Sequence, residues 1–116
     1  MNRFKEENMS EIKVMVIYPR PTDADAFEKA YVEEHVPLAA EKIKGMTKFA
    51  ASKVVGTPDG SDAPFARIAE LYFPSLEALQ RSVASAGTQE AVAHAFAIST
   101  GGPPIVLVCE EETTTF

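Results

Sequence analysis

Cysteine occurs once, at Cys109, so no internal disulfide can brace the fold, and a lone thiol of this kind reads as a small buried hydrophobe. Histidine occurs only at His35 and His94, which leaves no cluster at zinc-ligand spacing, and no metal is expected. No apolar run approaches the ~20 residues that span a bilayer. The opening residues Met1-Asn2-Arg3-Phe4-Lys5-Glu6-Glu7-Asn8 are charged where a signal peptide would be greasy. These absences give the expectation of a cytoplasmic protein with no membrane partner. Basic residues are outnumbered, 11 against 17 acidic ones, and the net charge of -6 sets up a field that repels phosphate backbones, so nucleic acid is not an expected partner. A nucleophile elbow and a phosphate cradle are also missing. The one glycine-bearing candidate, Gly56-Thr57-Pro58-Asp59-Gly60, lacks the lysine and the following helix of a P-loop. No motif asks for a cofactor.

What is present has the balance of an ordinary folded domain, with 46% apolar and 24% charged residues. A chain of 116 residues supports one core. Residues 1–11 carry five charges without apolar periodicity and read as a disordered arm, residues 12–110 as the domain, and residues 111–116 as a tail. The run from Ile12 to Tyr18 is β-branched, apolar on both faces and stopped by Pro19-Arg20-Pro21, which predicts a central strand. Thr22, answered by Asp25, is expected to cap a first helix. On a wheel of 100° per residue centred on Phe27, residues Ala30, Tyr31, Glu34 and Leu38 face inward and His35 falls at the margin. Pro37 should kink or restart the helix near His35, and Lys44-Gly45 closes its second piece.

Residues 46–55 and 65–73 then read as two strands of a hairpin around a turn-rich loop. Ser75 caps a helix over residues 76–85, Gly87 breaks it, and a further piece covers residues 88–98. Residues 105–110, with a proline start and an acidic end, suit a sheet edge. The order is βαββαβ, the split βαβ pattern of an α+β, ferredoxin-like fold with a four-stranded antiparallel sheet. Right-handed crossovers put both helical segments on one face and leave the other bare. Both sides of the first strand are apolar, Ile12, Val14, Val16 and Tyr18 against Met15 and Ile17, so a second copy is expected to cover the bare face and form a homodimer through the sheets.

Three stretches in this order resemble the EthD family, named for ethyl tert-butyl ether degradation, within the dimeric α+β barrel superfamily. They are Lys13 to Pro21, the spacing Phe27, Tyr31, His35, Pro37, Leu38, and the string Ala69-Glu70-Leu71-Tyr72-Phe73-Pro74-Ser75-Leu76-Glu77-Ala78-Leu79. The resemblance implies a dimeric α+β barrel and a cleft between sheet and helices for apolar or aromatic molecules. It does not imply a reaction.

His35 can give and take protons near neutral pH, and it matches the histidine of the family's Tyr-x-x-x-His-x-Pro-Leu pattern. It can equally serve structure by bonding the carbonyl that Pro37 frees. Glu70 sits mid-strand, where a buried carboxylate needs a wet cavity or a partner, with Lys13 and Lys48 as alternatives to a catalytic role. We place Glu70, Ile68 and Tyr72 on the cleft face, with Tyr31 and Tyr18 as further walls, in a cleft between the sheet and the first helix beside His35. His94 is set aside as an ordinary helix histidine. Two functions fit. One is a small cofactor-free catabolic enzyme, an oxidoreductase, isomerase or cyclase acting on an apolar or aromatic compound with His35 and Glu70 as catalytic groups. The other is a non-catalytic binding or accessory protein that supports a partner oxygenase. A haem-binding variant would need an axial ligand, for which only His35 is a candidate.

Overall fold

Alternating side chains and turn residues build the sheet first. A computed structural model of the chain describes residues 10–116. Strand β1 covers Ser10–Pro19, β2 Lys48–Lys53, β3 Phe65–Phe73 and β4 Ile105–Glu112. All pairings are antiparallel, in the spatial order β2-β3-β1-β4, so the first strand is central and the last lies at an edge as its residues suggest. Most of the expected arm lies outside the described residues. Ser10 and Glu11 already pair with Glu112 and Glu111, so strand structure extends two residues beyond each expected domain boundary.

The helices occupy one face. Helix α1 covers Ala24–Ala30, α2 Val36–Lys42, α3 Leu76–Val83 and α4 Ala86–Ile98. Asp23, not Thr22, caps α1, its carboxylate accepting from the Ala26 amide at 3.1 Å. Ser75 caps α3 as expected. The break between α3 and α4 falls at Ala84 and Ser85, with Ser85 capping α4. Gly87 lies instead inside the first turn of α4, where a Cβ would stand 2.7 Å from the Lys42 carbonyl oxygen, so its role is close approach to α2.

Between α1 and α2 the helix does not stop and restart. Residues Tyr31–His35 form a π turn in which the Val36 amide donates to the Tyr31 carbonyl, and the helical backbone runs through without interruption. Pro37 has no amide for the Glu33 carbonyl and its ring would crowd that group in a regular α-helix. The wider turn accommodates it. It also changes which residues face the sheet. Phe27, Tyr31, His35, Ala39 and Ile43 are all buried, a strict spacing of four that drifts by about 40° per step on an α-helix. The π turn takes back part of that drift, so His35 turns inward and Glu34, expected inside, is exposed.

The core has two connected parts. Ala39, Ile43, Leu79 and Ala91 pack on Ala69, Leu71 and Phe73, while Phe27, Tyr31 and Ala95 pack around Tyr18. Burial of each large side chain contributes roughly 1.5–3 kcal/mol, which makes the Tyr18, Phe27, Tyr31 and Phe73 group a main anchor of the helices. No helix among the described residues covers the opposite sheet face. Lys13, Met15 and Ile17 of β1, Ile68, Glu70 and Tyr72 of β3, and Ile105 and Leu107 of β4 share it by register.

Candidate functional site

Tyr18 ends the inward row of β1, and Tyr31 and His35 stand one turn apart on the π segment above it. Their rings form one cluster, with Tyr18 to Tyr31 at 5.4 Å and Tyr31 to His35 at 5.7 Å between centroids. Tyr18 and Tyr31 are wholly buried and His35 is 5% exposed. The Tyr18 hydroxyl lies 3.4 Å from His35 Nε2. His35 Nδ1 lies 3.0 Å from His94 Nδ1, with the two imidazoles nearly parallel. His94 Nε2 in turn stands 3.6 Å from a carboxylate oxygen of exposed Glu34.

Burial first, and His94 second, lower the His35 pKa from 6.5 to about 4, so the ring is neutral at physiological pH. Burial raises the Tyr18 phenol far above its usual range and the Tyr31 phenol to about 12, so both stay protonated. The Tyr31 hydroxyl meets no hydrogen-bonding partner among the described residues. Arg67 stacks over its ring at 4.9 Å and bonds Glu28, Nε to Oε2 at 3.0 Å, so this arginine is paired under the helices and does not reach out to water.

Glu70, Ile68 and Tyr72 are not with His35. Tyr18 and Val14 face the helices on β1, and by alternation Ala69, Leu71 and Phe73 do so on β3, so the even-numbered residues of β3 project from the other side. Glu70 accepts from Lys13 Nζ at 2.7 Å, Lys13 reaches Glu111 at 3.0 Å, and the Tyr72 hydroxyl donates to Glu111 at 2.9 Å. Lys48 lies over the Tyr72 ring. Hydrogen bonds from Glu70 and then Glu111 raise the Lys13 pKa, and those from Lys13, Tyr72 and Thr113 hold Glu111 down at about 2. The carboxylate has the lysine partner that was the alternative to catalysis.

The cleft also differs in place. A cavity of about 390 Å3 lies between the sheet and α3 and α4, not beneath α1. Val14, Val16, Leu71 and Phe73 form its floor, and Leu79, Val92 and Phe96 its roof. Gln80 and Thr88 are its sole polar side chains among the described residues. Val106 and Val108 of β4 close one side, both about half exposed. Tyr18, Tyr31 and His35 do not line it, but Val16 and Ala95 belong both to its wall and to the packing around Tyr18, so cavity and cluster share a partition. A depression of about 490 Å3 at Arg20 and the 56–63 loop is wider at the surface, and none of the tyrosines or histidines borders it.

His94 is the residue that sequence reasoning missed. A helix histidine flanked by alanines gives no local signal, and only the tertiary packing of α4 on the π turn brings it to His35. The Glu34 carboxylate sits on the far side of the His94 ring, so His35, His94 and Glu34 do not converge on a common point for a metal. Both ring nitrogens of His35 face partners, which leaves neither for an axial bond to haem.

The EthD domain model matches residues 19–95, about two thirds of the chain. This protein belongs to the EthD family. An uncharacterized 11.0 kDa protein of Rhodococcus erythropolis, from the thcB-thcC intergenic region, is 32% identical over 99 residues, covering 85% of this chain and 94% of its own. The crystal structure of an EthD family protein of Bacillus halodurans superposes with a TM-score of 0.81 at 26% identity, over 87% of this chain and 98% of that one. More distant structures share the ferredoxin-like fold alone. A dimeric ferredoxin-like protein of unknown function from Jannaschia has a TM-score of 0.63 at 16% identity, covering 84% of this chain and 97% of its own. The hydroxynitrile lyase of Passiflora edulis has 0.67 at 13%, covering 91% and 96%. In this EthD protein the Tyr31, His35, Pro37 spacing coincides with the π turn. No helix among the described residues is long and apolar enough to cross a membrane.

Proposed function

We propose that this EthD protein binds a small apolar or aromatic molecule in the cavity between the sheet and α3 and α4, and performs cofactor-free acid–base chemistry on it with His35 and Tyr18. The observation that carries the reading is the shared wall. An apolar cavity of about 390 Å3 is of the size that holds small ligands, and Tyr18, whose hydroxyl lies 3.4 Å from the neutral buried His35, stands one side chain behind it. Burial weakens His35 as a base but keeps it unprotonated and able to take a proton at physiological pH, and the path from the cavity to it runs past Val16 and through the Tyr18 hydroxyl. Cofactor-free chemistry is compatible with this fold, since SnoaB, a cofactor-independent oxygenase of Streptomyces nogalater, shares it with a TM-score of 0.54 at 14% identity. A homodimer through the bare sheet faces completes the reading. Met15, Ile17, Ile68, Ile105 and Leu107 form an apolar field there that a second sheet would cover, and the Jannaschia protein of the same fold is dimeric.

A second reading has its own support. No titratable side chain lines the cavity among the described residues, which suits a protein that shelters a compound for a partner enzyme. Native mass spectrometry of the purified protein should find a bound apolar compound, and the neutral probe N-phenyl-1-naphthylamine should bind with a blue-shifted emission. Val106→Phe, which adds bulk at a half-exposed cavity wall, should weaken the probe at least tenfold. Absence of any apolar compound together with no probe binding would sink both readings. Once the bound compound is known, His35→Ala separates them: unchanged affinity with lost conversion identifies the enzyme, and a native protein that converts nothing identifies the carrier.

A further inference from the structure

We infer that Tyr18, His35, His94 and Glu34 form a directed proton path from the buried phenol to solvent, with His94 and Glu34 setting the tautomer in which His35 is held. The contacts run 3.4 Å, 3.0 Å and 3.6 Å from the wholly buried hydroxyl to a carboxylate whose side chain is 64% exposed. The middle contact forces a choice. Two Nδ1 atoms at 3.0 Å cannot both carry hydrogen and cannot both present lone pairs, so one donates and the other accepts.

The outer end decides which. The Glu34 carboxylate, 3.6 Å away and beyond hydrogen-bond reach, acts by its charge and favours the tautomer of His94 that carries its hydrogen on the near ring nitrogen. In a neutral imidazole the other nitrogen is then bare, and His94 Nδ1 must accept from His35 Nδ1–H. His35, kept neutral by its burial, in turn has a bare Nε2, and the Tyr18 hydroxyl donates to it. The charge of Glu34 thus reaches the core through two rings and points the lone pair of His35 at Tyr18. The groups facing His35 are Tyr18 from β1, Tyr31 from its own π turn and His94 from α4. The nearest cation, Arg67 of β3, lies over Tyr31 and is neutralised by Glu28.

The path balances for one proton. As the Tyr18 hydroxyl passes its hydrogen to His35 Nε2 and takes another from the molecule being deprotonated, His35 releases the hydrogen on Nδ1 to His94 Nδ1, and His94, partly open to solvent, releases its Nε2 hydrogen to water beside Glu34. Returning a proton to a product runs the same transfers backward. The use of this path in turnover rests on the proposed chemistry, whereas its direction does not.

Long-range proton–nitrogen correlation spectra of uniformly 15N-labelled protein at pH 7.5, without ligand, test it. The expected result is His35 in the Nδ1–H form and His94 in the Nε2–H form. Glu34→Gln, at an exposed position, removes the charge and should turn both rings into mixtures that change together. An Nε2–H form of His35, an imidazolium at either position, or a His35 tautomer indifferent to Glu34→Gln would overturn the inference. Failure of the naphthylamine probe to bind would sink the ligand reading and leave these tautomer results standing.

Discussion

Lys13 and Glu70, 57 residues apart in sequence, meet at 2.7 Å on the sheet face turned away from the four helices. The pair is flanked by Glu111 and Tyr72, with side chains only 15–28% exposed for the three charged members. Glu70→Gln should therefore lower stability by about 1 kcal/mol, the scale of a partly screened pair, and leave probe binding within twofold. Urea denaturation and probe titration check this. A variant that folds as well as the native protein but no longer binds the probe would return Glu70 to the ligand site.

His35 makes the stability of the fold pH-dependent. Its folded pKa, about 4, lies below the unfolded 6.5, so between those values the unfolded chain binds more protons and stability falls as pH falls. The loss is confined to the window from about 6.5 down to about 4, and amounts to about 2 kcal/mol by pH 5. Urea midpoints at pH 7.5 and pH 5 for the native protein and His35→Gln should differ by this increment. Equal losses in both proteins would show that the ring is not held neutral.

Tyr31 carries a buried hydroxyl that meets no partner among the described residues, which costs stability relative to an apolar ring of the same shape. Tyr31→Phe should keep the stacking with His35 and Arg67 and gain up to about 1 kcal/mol. A thermal melt that falls instead would reveal a hydrogen bond at that hydroxyl.

Gly87→Ala opposes two effects. Alanine is the better helix former by up to about 1 kcal/mol, but its Cβ would press on the Lys42 carbonyl at 2.7 Å, and overpacking against backbone costs about 1–3 kcal/mol. The variant should be less stable, and a rise in melting temperature would mean that α2 and α4 separate easily.

The strands were legible because their signals are local. β-branched alternation in Ile12 to Tyr18, turn residues from Gly56 to Pro64 and the Ser75 cap each act within a few positions, and the element order then leads to the sheet order. The site was legible in part. Tyr18, Tyr31 and His35 share the helix face, but Glu70 could be placed only by register, because one step along a strand reverses the face. A wheel at constant pitch put Glu34 inward, since the pitch change that Pro37 induces is invisible to any fixed period. His94 was out of reach for a third reason: its partner lies 59 residues away and depends on helix packing.

The π turn at Tyr31–His35 holds one residue more than an α-helical turn would need. Removing a residue within it is expected to restore the regular pitch while α1 and α2 keep facing the sheet as they do. The sheet and its helices can survive that change, and where the residue removed is His35 the hydroxyl of Tyr18 loses its imidazole. Chemistry and architecture are therefore separable by a single codon, and relatives that share the fold need not share the reactivity. Short insertions and deletions at this point are a better guide to which members of the family act alike than overall identity.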